Sequence, residues 1–180
     1  PNCPEAIIAM LAVSSIGAIW TSCSPDFGVQ GVLDRFGQVE PKVLFTADGY
    51  HYNGKPQDSL DKIAAALADL PSVQLTVVFP LLEDDPAIGN VPNSAHWRDL
   101  IAAHDPEVID FAQLPFNHPL YILYSSGTTG APKCIVHGAG GTLLQHLKEQ
   151  QLHCNVKPGD RAFYFTTCGW MMWNWLVTFL

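Results

Sequence analysis

The ten residues Tyr124 to Lys133, Tyr-Ser-Ser-Gly-Thr-Thr-Gly-Ala-Pro-Lys, constrain this chain more than any other stretch. They follow the apolar segment Leu120 to Leu123 and lead into Cys134-Ile135-Val136-His137, which reads as a strand and not as a helix. A loop set between two such segments is hairpin-like. Ser125, Ser126, Thr128 and Thr129 offer hydroxyls, Gly127 and Gly130 let the backbone turn its N–H groups inward, and Lys133 adds a mobile positive charge. That donor set suits a polyphosphate. The Walker A spacing Gly-x-x-x-x-Gly-Lys-[Ser/Thr] is absent, so the phosphates are expected to sit in a hairpin-like loop and not on a helix N-terminus.

The rest of the chain alternates helical and strand patterns. Apolar residues at Ile7, Ile8, Met10, Leu11, Val13 and Ile16 predict a core helix within Pro4 to Trp20, with Pro4 in its first turn and Gly17 near its end. Ala18 to Cys23 is β-compatible, and Ser24-Pro25-Asp26-Phe27-Gly28 is a turn. A helix over Val29 to Val39 and a strand over Lys42 to Thr46 follow, separated by Pro41. The polar stretch Asp48 to Lys55 leads to a helix over Gln57 to Leu70, and Val73 to Phe79 reads as a buried strand. Leu81 to Pro119 is proline-rich and irregular, with acidic Glu83-Asp84-Asp85 and one short helix over Trp97 to Ala103. Beyond the loop come a helix over Gly141 to Leu152, a turn at Lys157 to Asp160, a strand over Arg161 to Thr166 and a helix starting near Trp170. Such alternation implies parallel pairing with right-handed crossovers, a doubly wound, mostly parallel α/β sheet with flanking helices.

Composition narrows the function classes. Hydrophobic residues make up 48% and charged residues 14% of the 180, which supports a real core. The net charge is −8 with no Lys/Arg cluster, so nucleic acid is not an expected partner. No apolar run reaches ~18 residues, so no membrane-spanning helix is expected. The 5 cysteines are widely spaced without a Cys-x-x-Cys pair, which points to free thiols and a cytoplasmic, reducing compartment. The 7 histidines form no cluster at ligand spacing, so no metal held by protein side chains is expected. Pro1 in place of a methionine, and an apolar pattern still running at Leu180, read as a piece of a larger domain.

Three other candidate sites are weaker. Gly138-Ala139-Gly140-Gly141 opens a helix after a strand, but Leu143 stands where a dinucleotide fingerprint needs its third glycine. These glycines read as permitting close packing beneath the loop. His137 at a strand end reads as structural, although its place near the loop would allow substrate contact. Gly-x-Ser-x-Gly is absent, so no hydrolase nucleophile elbow is marked. The large side chains Trp170, Met171, Met172, Trp173 and Trp175 either fill a core or wall an apolar pocket.

The Tyr124 to Lys133 run resembles the phosphate-binding signature of the adenylate-forming superfamily, which includes acyl-CoA synthetases, luciferases and peptide-synthetase adenylation domains. The family pattern is approximately Tyr-Thr-Ser-Gly-Ser/Thr-Thr-Gly-x-Pro-Lys-Gly. Ser125 replaces the usual Thr and keeps the hydroxyl, whereas Cys134 replaces the last Gly. Ala18 to Gly28, Asp34-Arg35-Phe36, Pro132 to Gly138 and Cys168 to Trp175 extend the resemblance nearly end to end, toward the short-chain acyl-CoA synthetases. It implies that residues 1–180 are a partial N-terminal AMP-binding (adenylation) domain of an acid–thiol ligase. The implied reaction joins acetoacetate or a similar short-chain acid to coenzyme A at the expense of ATP with Mg2+, through an acyl-adenylate. The resemblance implies phosphate contacts from Ser125, Ser126, Gly127, Thr128, Thr129, Gly130 and Lys133. By position it also puts Trp170, Met171 and Met172 beside the acyl channel. The family's adenine site, magnesium-binding acid and catalytic lysine are expected beyond Leu180, so the chain alone is not expected to turn over. An acetyl-type ligase, a non-catalytic nucleotide-binding module and a stand-alone interaction domain stay open alongside this reading.

Overall fold

The computed structural model describes residues 1–126 and 130–180. In chain order its elements are α1 (Pro4–Ser15), β1 (Trp20–Thr21), α2 (Val29–Val39), β2 (Val43–Ala47), β3 (Gly49–Tyr52), β4 (Lys55–Asp58), α3 (Leu60–Leu67), β5 (Leu75–Phe79), β6 (Ser94–His96), α4 (Trp97–Ala102), β7 (Pro119–Tyr124), β8 (Cys134–Gly138), α5 (Ala139–Lys148) and α6 (Met171–Val177). They fall into two compact units, one of Pro25–Val108 with Pro1, the other of Asn2–Ser24 with Ile109–Leu180. The expected α/β architecture is present, with parallel pairs β1–β7, β2–β5 and β5–β6 and antiparallel pairs β3–β4 and β7–β8.

In the first unit β5 is the central strand of the order β2–β5–β6. Its Thr76, Val77 and Val78 are fully enclosed, which is why its sequence is a near-continuous apolar run. Val78 packs with Leu60 and Val91, and Ile63, Leu67 and Ile88 close around them. Phe79 meets the Trp97 ring edge-on at 5.2 Å and stacks on Phe45 at 6.1 Å.

The polar stretch after β2 is not a simple lead-in to a helix. Asn53 and Gly54 both take positive φ, 49° and 74°, and turn β3 back on β4 as a two-residue hairpin. Asn-Gly is the strongest short hairpin signal, because both residues tolerate the left-handed backbone that such a turn needs. The hairpin consumes Lys55 to Asp58, so the helix expected from Gln57 begins at Leu60 instead. Asp48 lies at the joint, nearly buried, and its carboxylate collects backbone donors. Oδ1 accepts from the N–H of Leu81 at 2.8 Å and Leu82 at 3.0 Å, and Oδ2 from Glu83 at 2.8 Å.

In the second unit β7 is central in the order β1–β7–β8. Helix α1 starts with proline in its first turn and ends in a Schellman motif, in which Gly17 at φ 76° lets its own N–H reach Ser14 and that of Ala18 reach Val13. Helix α5 begins at Ala139, two residues earlier than expected, and passes into a π-helical turn over Glu149–His153. The glycine in its first turn does permit close approach, since a Cβ on Gly140 would lie 2.2 Å from the Phe116 ring. One expected element is missing: residues 161–166 form no strand, because no ladder partner lies beside them among the described residues.

Asp48→Ala should leave three inward N–H groups without an acceptor and destabilise the first unit by about 2–4 kcal/mol. Urea unfolding measures this. A loss below about 0.5 kcal/mol would show that water substitutes for the carboxylate.

Candidate functional site

The loop is built by the antiparallel ladder that flanks it. Tyr124 pairs with Cys134 as the last rung, and the pair beyond it is Ser125 with Lys133. Ser125 donates its backbone N–H to the Lys133 carbonyl at 3.0 Å, and its Oγ accepts the Lys133 N–H at 2.9 Å. Those two bonds close the loop at its base. The second leaves the Ser125 hydroxyl proton uncommitted, so Ser125 is both a clamp and a donor facing the loop. Ser126 and Gly130 are exposed, and Gly130 has φ 146°, a conformation for which glycine is suited. Among the described residues no acidic side chain pairs with the exposed Lys133 ammonium. Gly127, Thr128 and Thr129, the other loop residues singled out by sequence, lie outside the described residues.

Below the loop, Thr21 ties β1 to β7. Its hydroxyl lies 2.9 Å from the Ile122 carbonyl and 2.8 Å from the Tyr124 phenol. One proton cannot serve both, so Thr21 donates to the carbonyl and accepts from the phenol. Tyr124 therefore braces the loop's entry strand. Sequence reading put Thr21 in a β-compatible segment but gave no sign of this bond, which depends on residues about a hundred positions apart.

The other end of β8 borders a cleft of about 430 Å³ lined by Ile135, His137, Thr142, His146, Met171 and Trp175, among others. Strand rise puts His137 about 13 Å along β8 from Lys133. The His137 ring packs against Tyr121 at 5.2 Å, and burial lowers its pKa. Burial also lowers His146, more than nearby Glu149 raises it, and its Nδ1 lies 3.1 Å from Thr178 Oγ1. Both imidazoles are thus biased toward the neutral form. Sequence analysis did not single out His146.

Of the three residues expected beside an acyl channel, Met171 lines this cleft, whereas Trp170 and Met172 do not. Trp170 is exposed, and it follows a turn anchored by Ser22, whose Oγ donates to the Cys168 carbonyl. Gly169 is required in that turn, as a Cβ there would approach the Ser24 nitrogen to 2.9 Å. Burial pushes the Cys168 thiol up to about 11, which keeps it protonated and unreactive.

A second cleft, about 470 Å³ in the first unit, is bordered by Asp48, Asp58, Asp61 and Glu83. Its carboxylates would repel a polyphosphate, so the loop, with hydroxyls and an ammonium, is the better anion site. Among the described residues no group of three or more His, Cys, Asp or Glu side chains could hold a metal ion.

The family model described as "AMP-binding enzyme" matches residues 1–180 of this α/β chain. The chain belongs to that family. It is 58% identical over 179 residues to acetoacetyl-coenzyme A synthetase of Rhizobium meliloti (strain 1021), covering 99% of this chain and 27% of that protein. Identity to malonamoyl-CoA synthetase of Penicillium aethiopicum is 48% over 183 residues, covering 98% of this chain and 25% of the relative. The solved structure of acetoacetyl-CoA synthetase from Streptomyces lividans superposes with a TM-score of 0.90 at 50% identity, over 99% of this chain and 27% of that one. The chain thus spans about a quarter of the length of these relatives.

Ser125→Ala should remove the acceptor for the Lys133 N–H and destabilise the hairpin by about 1 kcal/mol, while Ser125→Thr keeps the hydroxyl and stays near the parent. Thermal unfolding of the three proteins checks this. Equal stability of the alanine and parent forms would remove the clamp.

Proposed function

We propose that this chain carries the polyphosphate-holding part of an ATP-dependent acid–thiol ligase that forms a short-chain acyl-CoA through an acyl-adenylate. The observation that carries the reading is the Ser125/Lys133-closed loop, in a chain whose full length matches acyl-CoA synthetases. In this reading Ser125, Ser126 and Lys133, with Gly127, Thr128, Thr129 and Gly130, hold the β- and γ-phosphates while the acid's carboxylate attacks the α-phosphorus. The loop's contribution is positional and electrostatic. Hydroxyl and backbone donors fix the leaving pyrophosphate in line, and the ammonium offsets the negative charge that grows on it. Coenzyme A then displaces AMP by attack of its thiol on the acyl carbon.

Mg2+ accompanies the nucleotide in this reading and would screen phosphate charge, but no residue described here is assigned to it. The acid is proposed to be acetoacetate or a close analogue. The relatives' names support the class, since acetoacetate and malonamate both carry a carbonyl on the carbon β to the carboxylate. No helix among the described residues is long and apolar enough to cross a membrane; the enzyme is proposed to act on small molecules in the cytoplasm.

Lys133→Ala in the full-length enzyme should slow ATP–pyrophosphate exchange by ~10- to 1000-fold, the span expected for losing one contact to a developing charge. An unchanged exchange rate would remove Lys133 from the site. For acyl choice, Met172→Thr should change the ratio of kcat/KM for acetoacetate against acetate by ~10-fold or more. A constant ratio would place the acyl wall elsewhere, with Met171 and the β8 cleft the next surface to substitute.

A further inference from the structure

Strand β1 is short, and β7 outruns it. The last rung of their ladder is Thr21 opposite Ile122, so β7 continues through Leu123 and Tyr124 before the chain enters the loop at Ser125. On the β8 side this overhang is held by strand pairing, with Leu123 opposite Ile135 and Tyr124 opposite Cys134. On the β1 side it is tied by a side-chain bond. The Tyr124 phenol reaches back to the Thr21 hydroxyl at 2.8 Å, and that hydroxyl lies 2.9 Å from the Ile122 carbonyl. Side chains two apart on a strand share a face, which is why Tyr124 can return to the residue opposite Ile122.

The direction of both bonds is fixed by counting protons. A carbonyl only accepts, so the single Thr21 proton goes to Ile122 and the phenol donates to Thr21. Tyr124 therefore ends on an oxygen whose own place is set by the sheet backbone. The next residue, Ser125, holds Lys133 through two bonds of 3.0 and 2.9 Å. A continuous set of contacts thus runs from the Ile122 carbonyl through Thr21 and Tyr124 to the two residues at the loop's base.

We propose that Thr21 and Tyr124 are positioning residues for the phosphate loop: their bond holds the loop's base in the orientation that receives a polyphosphate, acting through Ser125 and Lys133 without touching the nucleotide. The proposal rests on the ligase reading, which gives the loop its ligand. A bond that orders the loop before the nucleotide arrives lowers the ordering cost of binding and acts alike on ground state and transition state. Its loss therefore falls on the KM for ATP and spares kcat. Lys133 differs, because its charge meets the charge that grows on the leaving pyrophosphate, and its loss falls on kcat.

ATP–pyrophosphate exchange kinetics of the full-length enzyme test this. Tyr124→Phe and Thr21→Val should each raise the KM for ATP by ~3- to 10-fold, the size expected for one neutral hydrogen bond, with kcat within ~2-fold of the parent. Thr21→Ser keeps the hydroxyl and should retain the parent KM. The double variant should be no worse than either single one, because both changes remove the same bond. Ser22→Ala controls for general weakening of β1: it breaks the neighbouring bond to the Cys168 carbonyl and should leave the KM for ATP unchanged. A parent-like KM in Tyr124→Phe, an equal rise in Ser22→Ala, or single effects that multiply in the double variant would overturn the proposal. Lys133→Ala separates its failure from that of the ligase reading. If Lys133→Ala slows exchange while Tyr124→Phe changes nothing, the positioning role alone falls; if Lys133→Ala exchanges like the parent, the phosphate site falls and the proposal with it.

Discussion

The second unit depends on strand β7 being paired along both edges. On one side it runs parallel to β1, with Trp20 opposite Tyr121, and on the other antiparallel to β8, with Tyr124 opposite Cys134. Tyr121, fully enclosed at the centre of the strand, fixes which face is core. Because side chains alternate along a strand, a slip of one residue would bring Tyr121 to the opposite face and carry Ser125 away from Lys133. The burial of one tyrosine and the position of the loop's two closing residues are therefore one constraint. A helix N-terminus would offer a single cluster of N–H donors. A hairpin offers donors from both arms, at the cost of needing its register specified from below.

Much of this was legible because it is local. Pro4 and Gly17 bracket α1, Val29–Val39 has the expected bounds, and the apolar run at β5 marks a strand buried on both faces. The loop was legible as a hairpin connection, since strand-like segments flank it on both sides. Its closure was not. The Ser125–Lys133 bonds follow from the β7–β8 register, and no spacing rule distinguishes a hydroxyl that accepts a backbone N–H from one turned toward a ligand.

The misses divide into three kinds. The β3–β4 hairpin was a missed turn signal, for Asn53-Gly54 is present in the sequence and the polarity of its surroundings concealed the strands. Residues 161–166 are the opposite case, because propensity points to a strand and pairing decides whether one forms. Strand propensity expresses fit to a pleated, half-buried surface, so it predicts nothing about hydrogen bonds when the neighbouring surface is missing. His146 and Thr178 belong to a third situation. They meet only because α5 and α6 pack together, 32 residues apart in sequence.

The helix at the end of the described chain shows the same dependence from the inside. Asn174 is fully enclosed, yet neither its amide oxygen nor its nitrogen has a partner among the described residues. The buried indole N–H of neighbouring Trp175 is also unpaired there. Each unmatched buried group costs about 1–3 kcal/mol, which a small unit tolerates poorly against a total stability of only ~5–15 kcal/mol. Nearby, Leu143, Leu144 and Leu147 of α5 stand exposed in water. Exposed leucines and an unsatisfied interior amide would be opposite errors in a self-sufficient fold, one calling for more apolar cover and the other for more polar contacts.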